Sequence, residues 1–189
     1  RYASHELAPA MTFAAADAYR RAGQPAKAEP LCERFLQQWP AAEWADDSLQ
    51  ILIQMAFESA DYPRVFTLAG RFAQEYRHSP LAPAVLQTLA RANLKAGRFD
   101  ATIQMLEPLV RAGTPAAAGD DSPDRPAGPS DEVAVKYYLA LGYLGAERHE
   151  EALDLLDPLT AVGEPGEFVN GVRVARAAAL VAVGRFADA

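Results

Sequence analysis

The chain has one cysteine, three histidines and no long apolar run. A lone Cys32 cannot form an internal disulfide, so no disulfide framework holds this protein together. No stretch approaches the ~20 apolar residues of a bilayer-spanning helix, which argues against direct membrane insertion. Basic residues are outnumbered, 18 against 25 acids, for a net charge of −7. Without a clustered Lys/Arg footprint, a nucleic-acid partner is not expected. His5, His78 and His149 lie far apart, and none stands beside a cysteine or a second histidine. A phosphate loop and a nucleophile elbow are both missing. Catalytic, cofactor-binding and metal-ligating residues are therefore all predicted to be none, and the protein is read as not an enzyme. The start, "RYASHELAPAM", lacks both the order of a signal peptide and an initiator Met, so the natural start is expected upstream.

What is present is repetition. "AGRFDA" at 96–101 returns as "GRFADA" at 184–189, and weaker relatives surround Gly23, Ala60 and Glu147. The five anchors Gly23, Ala60, Gly97, Glu147 and Gly184 are spaced by 37, 37, 50 and 37 residues. Chemistry recurs at fixed distances from them. Seven residues before stand Ala16, Ile53, Ala90, Ala140 and Ala177; five after stand Ala28, Val65, Thr102, Ala152 and Ala189. Tyr19, Ala56, Asn93, Tyr143 and Leu180 come four before, and Phe35, Phe72, Leu109 and Leu159 twelve after. Steps of three, four and seven mark one face of an α-helix on each side of the anchor. Small residues permit close approach of two helices, and aromatic and Leu side chains fill the gaps. Each such Leu or Phe contributes on the order of 1.5–3 kcal/mol when buried. A glycine at the anchor supplies the positive φ that ends a helix. Each repeat is thus a helix–turn–helix hairpin, and the predicted fold is all-α. One hairpin cannot bury its apolar face alone, so neighbours must stack.

The set Ala16, Tyr19, Gly23, Ala28, Phe35 and closing Pro40 resembles the tetratricopeptide (TPR) repeat, as do Ala90, Gly97 and Phe99, and Ala140, Tyr143 and Ala152. The resemblance covers roughly residues 9 to 189. It implies a single right-handed α-solenoid of antiparallel hairpins over 1–189: about 4.5 repeats at 9–43, 44–79, 80–113, 131–164 and, partially, 165–189. The period of 37 and Ala60 in place of Gly depart from the family pattern, and a HEAT-like array is the rival. "FLQQWPAAEWADDSLQ" and "FAQEYRHSPLAPAVLQ" resemble the variant in bacterial envelope proteins, which leans the expected location toward the periplasm or envelope, otherwise the cytoplasm. Since the last copy stops within a repeat, the chain is expected to be a fragment of a longer repeat protein.

The surplus of the long interval falls in "RAGTPAAAGDDSPDRPAGPSDEV", whose prolines and glycines cannot continue a helix. Residues 113–131 are read as a surface loop or a recognition arm, with Ser130 as N-cap of the helix that resumes. "DDSPD" lacks the Gly and the terminal Glu of a calcium loop. Cys32 stands where Ala69, Leu106 and Leu156 recur and His149 where Phe99 and Phe186 recur, so both are assigned to packing. Glu150, Asp154 and Asp157 share one helical face, read as solvated surface. Pro108 and Pro158 occupy equivalent places and are expected to bend or shorten their helices.

In the TPR family the concave face is lined by one edge of the first helices. Carried onto this chain, that edge comprises Phe13, Asp17, Arg20 and Arg21; Gln50, Gln54, Phe57 and Glu58; Gln87, Arg91, Leu94 and Lys95; then Tyr137, Leu141, Leu144, Val174 and Val181. Amides and Arg beside an occasional aromatic suit an extended peptide; ordinary solvated surface is the alternative for each. Phe13 and Asp17 stand where a carboxylate clamp for chaperone tails would begin, so that ligand is not expected. The implied function is a non-catalytic protein or peptide interaction scaffold. A regulatory or substrate-recruiting segment of a multidomain enzyme and a structural spacer are the alternatives.

Overall fold

The computed structural model describes residues 6–113, 131–160 and 167–186. His5, Ala189, Ser130 and the loop or arm at 114–130 lie outside the described residues. Among those described, the chain is helical throughout and has no strand: α1 (Ala8–Arg21), α2 (Pro25–Gln38), α3 (Ala45–Glu58), α4 (Tyr62–Glu75), α5 (Ala82–Lys95), α6 (Phe99–Ala112), α7 (Asp131–Gly145), α8 (His149–Leu159) and α9 (Glu167–Ala182). The chain divides into two compact units, Arg1–Leu89 and Ala90–Ala189, with the division inside α5. In the first unit α1 packs on α2, α2 on α3 and α3 on α4. In the second, α6 packs on α7, α7 on α8, and α9 on both α8 and α7.

All five anchors end their helix in the same way. Gly23, Ala60, Gly97, Glu147 and Gly184 have φ of 65°, 59°, 69°, 60° and 76°. Around the first, Gly23 N–H donates to the Arg20 carbonyl at 3.0 Å and Gln24 N–H to that of Tyr19 at 2.9 Å. The same pair of bonds recurs at Ala60 and Asp61, Gly97 and Arg98, Glu147 and Arg148, and Gly184 and Arg185. This is a Schellman closure, which satisfies the last carbonyls and reverses the chain at once. After Ala60, the Asp61 carboxylate accepts from Arg64 N–H at 3.2 Å, so one helix is capped at its N-terminus immediately after another is closed.

The recurring apolar residues make the core. Ala16, Ala90 and Ala140 are fully buried and Ile53 nearly so, as are Ala28, Val65, Thr102 and Ala152 on the second helices. Ala177, in the same series, is only half-buried. Cys32, Ala69, Leu106 and Leu156 all lie in the core, and burial pushes the Cys32 thiol up to about 11, so its thiolate is scarce at neutral pH.

A second face of the first helices carries the stacking. Twelve, nine and five residues before the anchor, Ser48, Ile51 and Met55 are buried on α3, Val85, Thr88 and Ala92 on α5, and Val172, Ala175 and Ala179 on α9. On α7 Val135 and Gly142 are buried and Tyr138 is half-buried. On α7 and α9 the second helix of the preceding hairpin meets this face. A Cβ at Gly142 would stand 3.3 Å from Thr102 and Ile103 of α6, and Ala179 clusters with Leu153 of α8. Gly145 is tighter still, since a Cβ there would overlap the Phe99 ring.

The links between hairpins in the first unit are aromatic. Phe35 meets Trp39 and Phe72 meets Tyr76, each pair at 5.6 Å. Tyr76 donates to the Pro40 carbonyl at 3.0 Å, and Ser79 to the Asp46 carboxylate at 2.6 Å. Arg64 bridges from α4 to Glu29 and Glu33 of α2. The two prolines differ in effect. α8, with Pro158, ends at Leu159 after 11 residues, whereas α6 runs 14 residues through Pro108. Both prolines are exposed, where a carbonyl left without a helical donor can reach water.

Candidate partner-binding face

A third face of the first helices lies ten, six and three residues before each anchor. On α1 it holds Phe13, Asp17 and Arg20; on α3 Gln50, Gln54 and Phe57; on α5 Gln87, Arg91 and Leu94. On α7 it holds Tyr137, Leu141 and Leu144, and on α9 Val174, Ala178 and Val181. None of these side chains is fully buried, whereas on α3 and α5 the neighbouring places five, seven, nine and twelve before the anchor are. It is here that charged, amide and aromatic groups vary from one repeat to the next.

In the first unit the face is internally tied. Asp17 accepts from Arg20 Nε and Nη2 at 3.0 and 2.7 Å, and from Arg21 Nε at 2.7 Å. Burial opposes ionisation of Asp17, but the bonds and charges of the two arginines outweigh it and hold the carboxyl below its ordinary value. One carboxylate thus orients two guanidinium groups, which leaves a net positive spot on α1. Phe13 lies flat on Trp44 at 5.9 Å and edge-on to Phe35 at 6.2 Å, so its ring spans from the face into the core. On α3 Gln54 Nε2 donates to Glu58 at 2.9 Å and Phe57 leans on Tyr62 at 6.1 Å. Gln50 and Gln87 are half-buried.

In the second unit the face is aromatic. Tyr137 meets Phe168 of α9 edge-on at 5.0 Å and Tyr138 at 5.7 Å. A Cβ at Gly171 would come within 2.7 Å of the Tyr137 hydroxyl, so this glycine makes the room that the tyrosine occupies. Burial raises both phenols, with Tyr138 adding to the rise at Tyr137 and the charge of Arg91 moderating the one at Tyr138. Arg91 and Lys95 are exposed on the same side of α5, one turn apart. Val174 and Val181 are 71% and 51% exposed, which makes the α9 portion of the face apolar and open to solvent.

The other residues singled out in the sequence are placed as follows. His78 accepts from Arg77 Nε at 3.0 Å. His149 is half-buried at the start of α8, its Nδ1 buried with no hydrogen-bond partner among the described residues. Glu150 and Asp154 are solvated, while Asp157 ties α8 to Arg176 of α9 at 2.7 Å. Among the described residues no three His, Cys, Asp or Glu side chains are grouped to hold a metal, and no helix is long and apolar enough to cross a membrane. Sequence reasoning missed Trp44, Tyr138 and Phe168, which shape the face. Trp44 and Phe168 recur sixteen residues before their anchors, a spacing that a longer alignment of the repeats would have shown.

No protein-family model and no curated protein matches the chain. Among solved structures it is similar to the MamA RS-1 ArsTM double mutant, with a TM-score of 0.64 and 14% identity over 95% of this chain and 93% of that one. MamA contains TPR repeats. A likeness of that extent at that identity shows the fold, which is an all-helical, TPR-like repeat of the α-solenoid type.

Proposed function

We propose that this protein is a non-catalytic scaffold that binds a protein or peptide along the third face of its first helices. The observation that carries this reading is the exposure pattern: at the fifteen places ten, six and three residues before the anchors, no side chain is buried. Each keeps some surface in contact with solvent, including those such as Phe13 and Leu144 that also pack on neighbours, and that surface can meet a ligand. In the first unit Phe13, Asp17, Arg20, Gln50, Gln54 and Phe57 offer amides and oriented arginines to a peptide backbone and its carboxylates. In the second, Arg91, Lys95 and Tyr137 offer cations beside aromatic rings, which suits a partner with acidic and apolar side chains. Gln87 lies one turn from Arg91 on α5 and continues its face. The TPR-like fold supports protein partners as a class. The aromatic links at Trp39 and Tyr76 support looking first among bacterial envelope or periplasmic proteins.

The test is a pull-down from lysate with the wild-type chain and a variant carrying Gln54→Ala, Phe57→Ala and Arg91→Ala, after circular dichroism shows both equally helical. A partner held by the first and lost by the second supports the reading. Equal capture by both sinks it.

A further inference from the structure

The second unit separates its charges by helix, and the first does not. α6 and α8 carry six acids against one cation, Arg111. On the first helices of that unit the order is reversed. From Ala90 on α5, and beyond the first turns of α7 and α9, there is no acid, while Arg91, Lys95, Lys136, Arg173 and Arg176 are present. In the first unit, by contrast, α3 holds Asp46, Asp47 and Glu58 without a cation, and Asp17 ties up the arginines of α1. Among the described residues of the second unit, the third face therefore bears cations and no carboxylate.

We propose that the second unit holds an extended peptide in which acidic residues alternate with aliphatic ones. Its carboxylates meet Arg91 and Lys95 of α5, and its aliphatic side chains meet Tyr137 and Leu141 of α7. This ligand class rests on the third face being the binding surface and goes beyond it by fixing the spacing of the charges. Arg91 and Lys95 are exposed and four residues apart, which sets them about 6 Å apart along α5. In an extended chain, side chains two residues apart share a side and are separated by about 6.6 Å. Acids at alternate positions thus reach both cations without bending the peptide, as charge-assisted hydrogen bonds. The residues between them turn the other way. Tyr137 and Leu141 keep the same four-residue interval on α7 and are half-buried, so their open surface can be covered by such residues. The two sides of the site are neighbours: the charge of Arg91 reaches the Tyr138 phenol, whose ring lies 5.7 Å from that of Tyr137. Tyr137 is itself held by Phe168 at 5.0 Å and by the room left at Gly171, so the apolar side is formed before the peptide arrives. The acids of α6 and α8 repel the same peptide from the second helices.

The experiment titrates the whole chain into a fluorescent octapeptide alternating glutamate with leucine, acetylated and amidated so that only side chains carry charge, and follows anisotropy. A second octapeptide has glutamine in place of glutamate. Saturable binding of the first is expected, weakened about tenfold or more by Arg91→Gln combined with Lys95→Gln. Raising NaCl from 0.05 to 0.5 M should weaken it as well. The glutamine peptide is expected to bind about tenfold more weakly or worse. Arg111→Gln removes one charge from the second helices and should leave the affinity unchanged. All three side chains are exposed, and circular dichroism with urea unfolding establishes that each variant keeps the fold. Equal binding of both peptides would overturn the acidic ligand and leave the third face standing as the binding surface. No binding of either peptide, no loss in the Arg91→Gln and Lys95→Gln chain, or an equal loss in Arg111→Gln would overturn the proposal too. The pull-down described above judges the third face separately.

Discussion

The second and fourth hairpins fill the same space with opposite choices. On α3 the residue seven before the anchor is large and the one four before is small, Ile53 and Ala56; on α7 the order is reversed, Ala140 and Tyr143. All four are buried. In these two hairpins a large residue at one place is matched by a small one at the other, as close packing favours. Both hairpins also close with a residue other than glycine, Ala60 or Glu147, in the left-handed conformation that Gly23, Gly97 and Gly184 adopt elsewhere. At these two sites the same pair of backbone hydrogen bonds closes the turn without a glycine.

The comparison breaks most visibly at Ile53. Ile53→Ala is expected to cost about 2–5 kcal/mol, read from urea unfolding. Adding Ala56→Leu, which copies the Ala177 and Leu180 pair of α9, should recover half of that loss or more. If the double variant is no better than the single one, the compensation described here is wrong. Next in size are the turns. Gly97 has open space around its missing Cβ, so Gly97→Val meets only the backbone penalty of about 1–2 kcal/mol. Glu147→Gly should work the other way and stabilise by about 0.5–1 kcal/mol, the relief of strain less the entropy of a freer chain. A loss at Glu147→Gly would mean that the glutamate side chain matters more than its φ.

Smaller effects sharpen the contrast between units. Arg64 reaches two glutamates on α2, while Arg176 meets Asp157 on α8. Arg64→Ala and Arg176→Ala should each cost no more than about 1 kcal/mol, and 0.5 M NaCl should shrink the difference from wild type. The least effect is expected at Asp17. Its folded carboxyl titrates below the ordinary 3.8, so it contributes stability above that pH, and the contribution fades as pH falls through the folded value. Asp17→Asn should cost a few tenths of a kcal/mol at pH 7 and nothing at the acid end of a pH series. A deficit that persists in acid would show that the side chain acts through shape.

Much of the fold could be read from the sequence, because its determinants are local. A glycine or its substitute at the turn and an alanine seven residues earlier each state a backbone requirement in a single residue type. Burial of Cys32 followed in the same way from its companions Ala69, Leu106 and Leu156. Non-local features were out of reach. Nothing near Tyr137 in the chain says that Gly171 makes room for its hydroxyl, and nothing near Arg64 points to Glu29 and Glu33. The side chains on the third face were found by spacing, but Phe13 shows the limit of that method. Helical periodicity gives direction, and it cannot tell a ring open to a ligand from one stacked on Trp44. Ala177 fell short of its series for a related reason, since a helical position is buried only as far as its neighbours cover it.

One consequence of the five identical turns concerns length. Because every anchor ends its helix with the same two backbone hydrogen bonds, Gly23 and Ala60 are interchangeable as junctions. Excising residues 24–60 would join Gly23 to Asp61 and leave α1 facing α4, with each helix still entering its partner's groove at the customary place. Removing one residue more or fewer would rotate every following side chain by about 100° around its axis. Between turn and turn such a cut must therefore take a whole module, whereas the 50-residue interval from Gly97 to Glu147 places its surplus in the link between two hairpins, outside the paired helices.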